Sequence, residues 1–253
     1  MSLPTTIIGI DCATKPGNVG LALGRFDGER TRLSRTELGT PLRRPAEIAA
    51  EWLYDNGGTV LLALDAPLGW PVGLGSTLQA HRAGAAVESP ANSIFRRKTD
   101  HCVKQVIGKQ PLDVGADRIA RTAHAALGLL EEVRWLVGAP VPLAWKPSFE
   151  DIRAIEVYPA ATLLAHGISE QGYKKIEGTE ARKRILSALS ERVELTGDSS
   201  LMLGSDDALD AAVCVLAAQD FLLGLAMPPS DPDTAEKEGW IWMRQPDREG
   251  QSD

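Results

Sequence analysis

Residues 7–11 read Ile7-Ile8-Gly9-Ile10-Asp11, and residues 60–65 read Val60-Leu61-Leu62-Ala63-Leu64-Asp65. Each is a continuous apolar run, too short for a helix, and so reads as a strand buried on both faces. Each ends on an aspartate. Between them, Val19 to Phe26 reads as a second strand, Asp27-Gly28 as a hairpin turn and Thr31 to Leu38 as the returning strand. Pro45 opens a helix with Ile48, Ala49, Trp52 and Leu53 on one face, and Gly57 stops it. A strand that returns after a helix implies a crossover and parallel pairing with the first strand. The carboxyl ends of the two runs then emerge side by side at one edge of the sheet, where open α/β sheets place their ligands.

Working outward, residues 66–115 are rich in Gly, Pro and Ser and lack sustained periodicity, which reads as a functional loop insertion. Asp117 to Val137 reads as a long amphipathic helix with Ile119, Ala123, Leu127 and Leu130 on one stripe. Ile152 to Val157 is a further strand, ended by Tyr158-Pro159. Short helices over Ala160–His166 and Glu180–Val193 lead to a late helix over Asp207–Leu225, whose Ala208, Ala211 and Ala212 allow close approach to the sheet. Residues 228–233 read as a linker, Gly239–Met243 as an edge strand, and the last few residues as a disordered tail. The sum is an α/β fold: a mixed five-stranded sheet of antiparallel meander plus parallel crossover strands, flanked by helices. It forms one domain over 1–227, with the insertion at about 66–115 and a linker and tail over 228–253.

A chain of 253 residues, 43% hydrophobic and 24% charged, has the composition of an ordinary soluble domain. No apolar run reaches membrane-spanning length and Met1-Ser2-Leu3-Pro4 lacks the features of a signal peptide, so the expected location is cytoplasmic, without a membrane partner. Cys12, Cys102 and Cys214 are isolated and the four histidines scattered, which excludes a disulfide framework and a structural zinc spacing. The net charge of −7 runs against the basic footprint of most nucleic-acid binders. Local clusters exist at Arg96-Arg97-Lys98, Lys174-Lys175 and Arg182-Lys183-Arg184, and each reads as a solvated face.

The late helix adds two acids. Asp206 and Asp207 follow Ser205 at a helix start, where acids favour the dipole and cap free N–H groups. Capping does not account for Asp210, which lies beyond the first turn and shares a face with Asp207. If the helix packs at the strand tips, Asp11, Asp65, Asp207 and Asp210 converge. Four such carboxylates repel and share protons unless a cation neutralises them. Hard oxygen ligands suit Mg²⁺ or Mn²⁺, and two such ions can activate a water and stabilise the leaving oxygen in phosphodiester cleavage.

The order of these elements resembles the ribonuclease H-like fold, nearest its Holliday-junction-resolvase branch with paired acids on the last helix. It is more similar still to a domain-of-unknown-function family of predicted ribonuclease H-like nucleases. The motifs carrying the resemblance are Gly9-Ile10-Asp11, Asp65-Ala66-Pro67-Leu68-Gly69, Arg97-Lys98-Thr99-Asp100, Glu156-Val157-Tyr158-Pro159 and Asp206-Asp207-Ala208-Leu209-Asp210-Ala211. The resemblance implies that Asp11, Asp65, Asp207 and Asp210 ligate two metal ions, Mg²⁺ or Mn²⁺. It implies Glu156 as an additional catalytic acid, and Arg97 and Asp100 as groups that position a phosphate and anchor the loop. Lys15, just after Asp11, is a further candidate phosphate contact. The implied partner is a nucleic acid, DNA or RNA.

Two other readings stand beside this one. The fold could serve as a non-catalytic nucleic-acid-binding or regulatory module. Alternatively, Gly9-Ile10-Asp11-Cys12-Ala13-Thr14 resembles the first phosphate loop of the sugar-kinase and actin superfamily, an ATP-dependent class that needs a second core; Gly73-Leu74-Gly75-Ser76-Thr77 is a weak match to one. Oligomeric state is open, a homodimer included: Trp240 and Trp242 read either as a partner surface or as a tail strand folding back.

Overall fold

The run ending at Asp11 forms β1 (Thr5–Asp11), and the run ending at Asp65 forms β4 (Val60–Asp65). They pair in parallel with Asp11 directly opposite Asp65. The computed structural model of the chain describes residues 4–246. β2 (Gly20–Phe26) and β3 (Thr31–Leu38) complete an antiparallel meander with β1, and α1 (Pro45–Asn56) makes the crossover to β4. β5 (Ile152–Glu156) adds to β4 in parallel, after α5 (Ile119–Val137). The sheet order is β5-β4-β1-β2-β3-β6, a ribonuclease H-like arrangement with one strand more than expected. That strand, β6 (Glu194–Leu195), is two residues long and pairs in parallel with β3. A two-residue strand has no periodicity to read.

Strand alternation divides the core into two layers. Ile7, Ala22, Leu61, Ala63 and Ile155 face α9 (Asp206–Leu222), while Ile8, Ile10, Leu21, Leu62 and Leu64 face α1 and α5. α9 is buried along its length from Ala208 to Phe221 and packs across β1, β2 and β3. Around it lie α6 (Pro159–Ala165), α7 (Thr179–Ser190) and α8 (Ser200–Gly204).

Three expectations need correction. Residues 66–115 carry α2 (Val72–Leu78), α3 (Ala91–Phe95) and α4 (Lys98–Ile107) rather than continuous loop. Helices of five to ten residues are too short for amphipathic periodicity to stand out, and Pro and Gly flank them. The linker at 228–233 runs into α10 (Pro232–Glu238), capped by Asp231 accepting from the Thr234 amide at 3.2 Å. Beyond it the chain makes single bridges, Glu156 with Ile241 and Ala226 with Arg244, in place of an edge strand. Trp240 and Trp242 are buried. The Trp240 indole donates to the Met227 carbonyl, and Trp242 packs edge-on against Phe221 with centroids 4.7 Å apart. The tail thus folds back on its own core. The reading of the final residues as disordered lies outside the described residues. Gly73 to Thr77 sits within α2, not in a strand-to-helix loop, and the described residues form one sheet, so the duplicated core of the kinase reading is missing from them. No described helix is long and apolar enough to cross a membrane.

Candidate metal centre

Register places the first two acids. β1 and β4 end level, so Asp11 and Asp65 project from neighbouring strand tips. The third comes from α9, and two glycines let that helix approach. A Cβ on Gly9 would stand 2.1 Å from the Ala211 carbonyl oxygen, and one on Gly20 would stand 2.1 Å from that of Asp207. With no side chain beneath it, the helix backbone lies directly on β1 and β2. One carboxylate oxygen each from Asp11, Asp65 and Asp210 then fall within 4.8 Å of one another. Asp11 and Asp210 are buried, and Asp65 is partly exposed.

Asp210 is held from two sides. The Tyr173 hydroxyl donates to its Oδ1 at 2.7 Å, and the Lys174 ammonium meets its Oδ2 at 2.6 Å. Among the described residues, Lys174 is the cation paired with this group of three carboxylates. Burial, followed by the charges of Asp210 and Asp65, pushes Asp11 well above the usual carboxylate range. Burial and Asp210 raise Asp65 to about 7. Burial also raises Asp210, and Lys174 and Tyr173 pull it back. At Lys174, burial favours the neutral amine, but Asp210, Asp65 and Asp11 outweigh it and keep the ammonium charged. A compact set of hard oxygens, short of positive charge, fits a divalent cation.

Asp207 is not part of this three-acid group. It sits half-buried in the first turn of α9, one turn further out, with burial and its neighbours Asp206 and Asp210 raising it to about 6. Sharing a helix face did not bring it level with Asp210, because three residues advance a helix by ~4.5 Å.

Glu156, Arg97 and Asp100 form a separate buried knot beside the triad. Arg97 donates to both oxygens of Glu156, at 2.7 and 2.8 Å, and through Nη2 to Asp100 Oδ1 at 2.9 Å; Nη1 also reaches the Glu238 carbonyl at 3.1 Å. Asp100 accepts from the Arg97 amide as well, closing a capping box at the start of α4. Glu156 takes a further bond from the Leu68 amide at 2.9 Å. The guanidinium is engaged on every edge, whereas Glu156 Oε1 accepts one bond and Oε2 two. All three expected residues are therefore brought together, bonded to one another, and Arg97 and Glu156 also line the cleft over the triad. Four separate segments meet at this knot. Lys15 is exposed before the short turn Pro16–Asn18 and is not among the residues lining the cleft over the triad.

That cleft has a volume of about 510 Å³ and is lined by Asp11, Asp65, Lys174, Tyr158 and the start of α5, among others. Tyr173, Lys174, Arg118 and Arg121 escaped the sequence reading. Lys174 had a signal, in a basic pair, but nothing local ties an irregular segment after α6 to an acid 36 residues later.

A mixed sheet of this order, with three carboxylates gathered under one buried helix, defines a ribonuclease H-like α/β protein with an acidic centre. The chain belongs to the family described as "Protein of unknown function (DUF429)", whose model matches residues 9–234. No curated protein matches it. Among solved structures it is similar to T. thermophilus RuvC in complex with Holliday junction substrate, at 14% identity, covering 86% of this chain and 97% of that one with a TM-score of 0.35.

Proposed function

We propose that the chain is a metal-dependent nuclease hydrolysing phosphodiester bonds in DNA or RNA. The observation that carries this reading is the convergence of Asp11, Asp65 and Asp210 oxygens within 4.8 Å beside a cleft lined by Asp11 and Asp65, with Lys174 paired to Asp210. Asp11, Asp65 and Asp210 would hold Mg²⁺ or Mn²⁺, with Asp207 as the outer carboxylate for a second ion. When bound, such ions activate water and neutralise charge at the leaving oxygen.

The rest of the chemistry belongs to the chain's own groups. Tyr173 and Lys174 orient Asp210, so that its carboxylate is pre-set rather than free to rotate. The Lys174 side chain is 56% exposed and so can also meet a phosphate oxygen entering the cleft. Arg97, Glu156 and Asp100 lock the strand tip of β5 to α4 and to the last residue of α10, giving the cleft a rigid wall.

The test pairs Mn²⁺ calorimetry with a cleavage panel on the wild type and Asp11→Asn. Expected is Mn²⁺ binding and cleavage in the wild type and loss of both in the variant, whose circular dichroism is unchanged. Full metal-dependent cleavage by Asp11→Asn would sink the assignment.

A further inference from the structure

The cleft that holds Asp11 and Asp65 is also lined by two arginines, Arg118 and Arg121. Arg118 immediately precedes α5 and Arg121 lies three residues on, so both point from one side of the helix start. Both are exposed and both line the cleft that holds Asp11 and Asp65. Among the described residues neither has an ion pair or a side-chain hydrogen bond. The nearby acids are accounted for: Asp113 pairs with Arg96 at 2.7 Å, Asp117 accepts from the Asp113 amide at 2.9 Å, and the first turn of α5 has no acid. Arg97 is committed to Glu156 and Asp100, and Lys174 already pairs with Asp210. Two guanidinium groups unpaired among the described residues, in the same cleft as Asp11 and Asp65, are suited to anionic oxygens, which they can grip bidentately.

The dimensions limit what those oxygens belong to. About 510 Å³ lies within the ~300–1,000 Å³ of small-ligand sites. A net charge of −7 repels a long polyanion. Pro67, Leu112 and Ile119 add apolar surface of the kind that accepts a base.

Resting on the nuclease reading, we propose that Arg118 and Arg121 are the substrate-binding wall of the cleft, and that the substrate is a short single strand engaged through about two phosphates rather than a duplex. The experiment measures binding of a fluorescent tetranucleotide and of a 20-base-pair duplex to the full chain in Ca²⁺, across a salt series, with Mn²⁺ calorimetry in parallel. The tetranucleotide is expected to bind more tightly, with a log–log salt slope of about −1.4, from ~0.7 per phosphate on single strands. Arg118→Ala and Arg121→Ala should each weaken it about tenfold and remove ~0.7 from the slope, leaving Mn²⁺ affinity unchanged. Arg121→Lys should restore the slope while recovering only part of the affinity.

Tighter duplex binding with a slope of about −5 or steeper would overturn the proposal, as would wild-type binding by both alanine variants. Either result beside intact Mn²⁺ binding removes the arginine wall and leaves the metal centre standing. Arginine-dependent strand binding without Mn²⁺ binding does the reverse.

Discussion

Arg97 has a relative exposure of 2% and carries its charge between two carboxylates that are just as deeply buried. Removing one partner of such a pair leaves the others uncompensated, which costs ~3–5 kcal/mol. Arg97→Met is therefore expected to lose stability in that range by urea unfolding, and Arg97→Lys to regain only part, because an ammonium cannot bond both Glu156 oxygens in parallel. Tyr173 acts differently. Tyr173→Phe removes the hydroxyl that orients Asp210, and groups that orient a ligand are typically worth 10–100-fold in metal affinity. Calorimetry should show Mn²⁺ affinity falling by about that factor with the thermal midpoint little changed. At this scale the sequence was partly legible. Asp11 and Asp65 could be found because each closes an apolar run. The partners of Glu156 could not, since Arg97 and Glu156 are 59 residues apart and meet only through packing.

The element that sets the site is α9, and its depth is set by β1 and β2. At Gly20 an added methyl would meet the Asp207 backbone, which cannot rotate aside, so the whole helix must shift. Overpacking of this kind costs ~1–3 kcal/mol. Gly20→Ala is expected to lose Mn²⁺ binding while still folding, because lifting the first turn of α9 carries Asp210 away from Asp11. Gly128, inside α5, is the control: a Cβ there meets nothing within 4 Å, so Gly128→Ala should raise stability by ~0.5–1 kcal/mol. Failure of the two substitutions to diverge in this way would count against close packing of α9 as the positioning device. Elements with a long period or a clear stop were readable, as α1 was between Pro45 and Gly57. α2, α3, α8 and α10 were not, because so few residues hold a helix by tertiary contact more than by pattern.

For the whole molecule, the acidic centre predicts a dependence on pH. Asp65 at about 7 and Asp207 at about 6 both stand above the ordinary 3.8, so the folded chain holds protons that the unfolded chain has released. Their stabilising contribution is complete below about 4 and gone above about 7. The metal-free thermal midpoint should thus fall more steeply between those limits than in Asp65→Asn. A divalent ion needs the ionised forms, so the Mn²⁺-induced rise in midpoint should be larger at pH 8 than at pH 5. Equal slopes in the wild type and Asp65→Asn would show that the triad is not strained by its own charge.

The sequence by itself determined the meander, the crossover strand, the parallel pairing that sets Asp11 against Asp65, and a small-residue helix able to lie close. All of these follow from local periodicity, turn chemistry and the handed, short connections that chains adopt. Only the tertiary structure decided which acids gather. It put Asp210 into the group and left Asp207 a turn away, gave Asp210 the hydroxyl and ammonium of Tyr173 and Lys174, and closed Arg97 and Glu156 into a knot of their own. The physical reason is that convergence depends on how deep a helix sits and where side chains point. Contacts between segments far apart in sequence set both, and no local pattern encodes them.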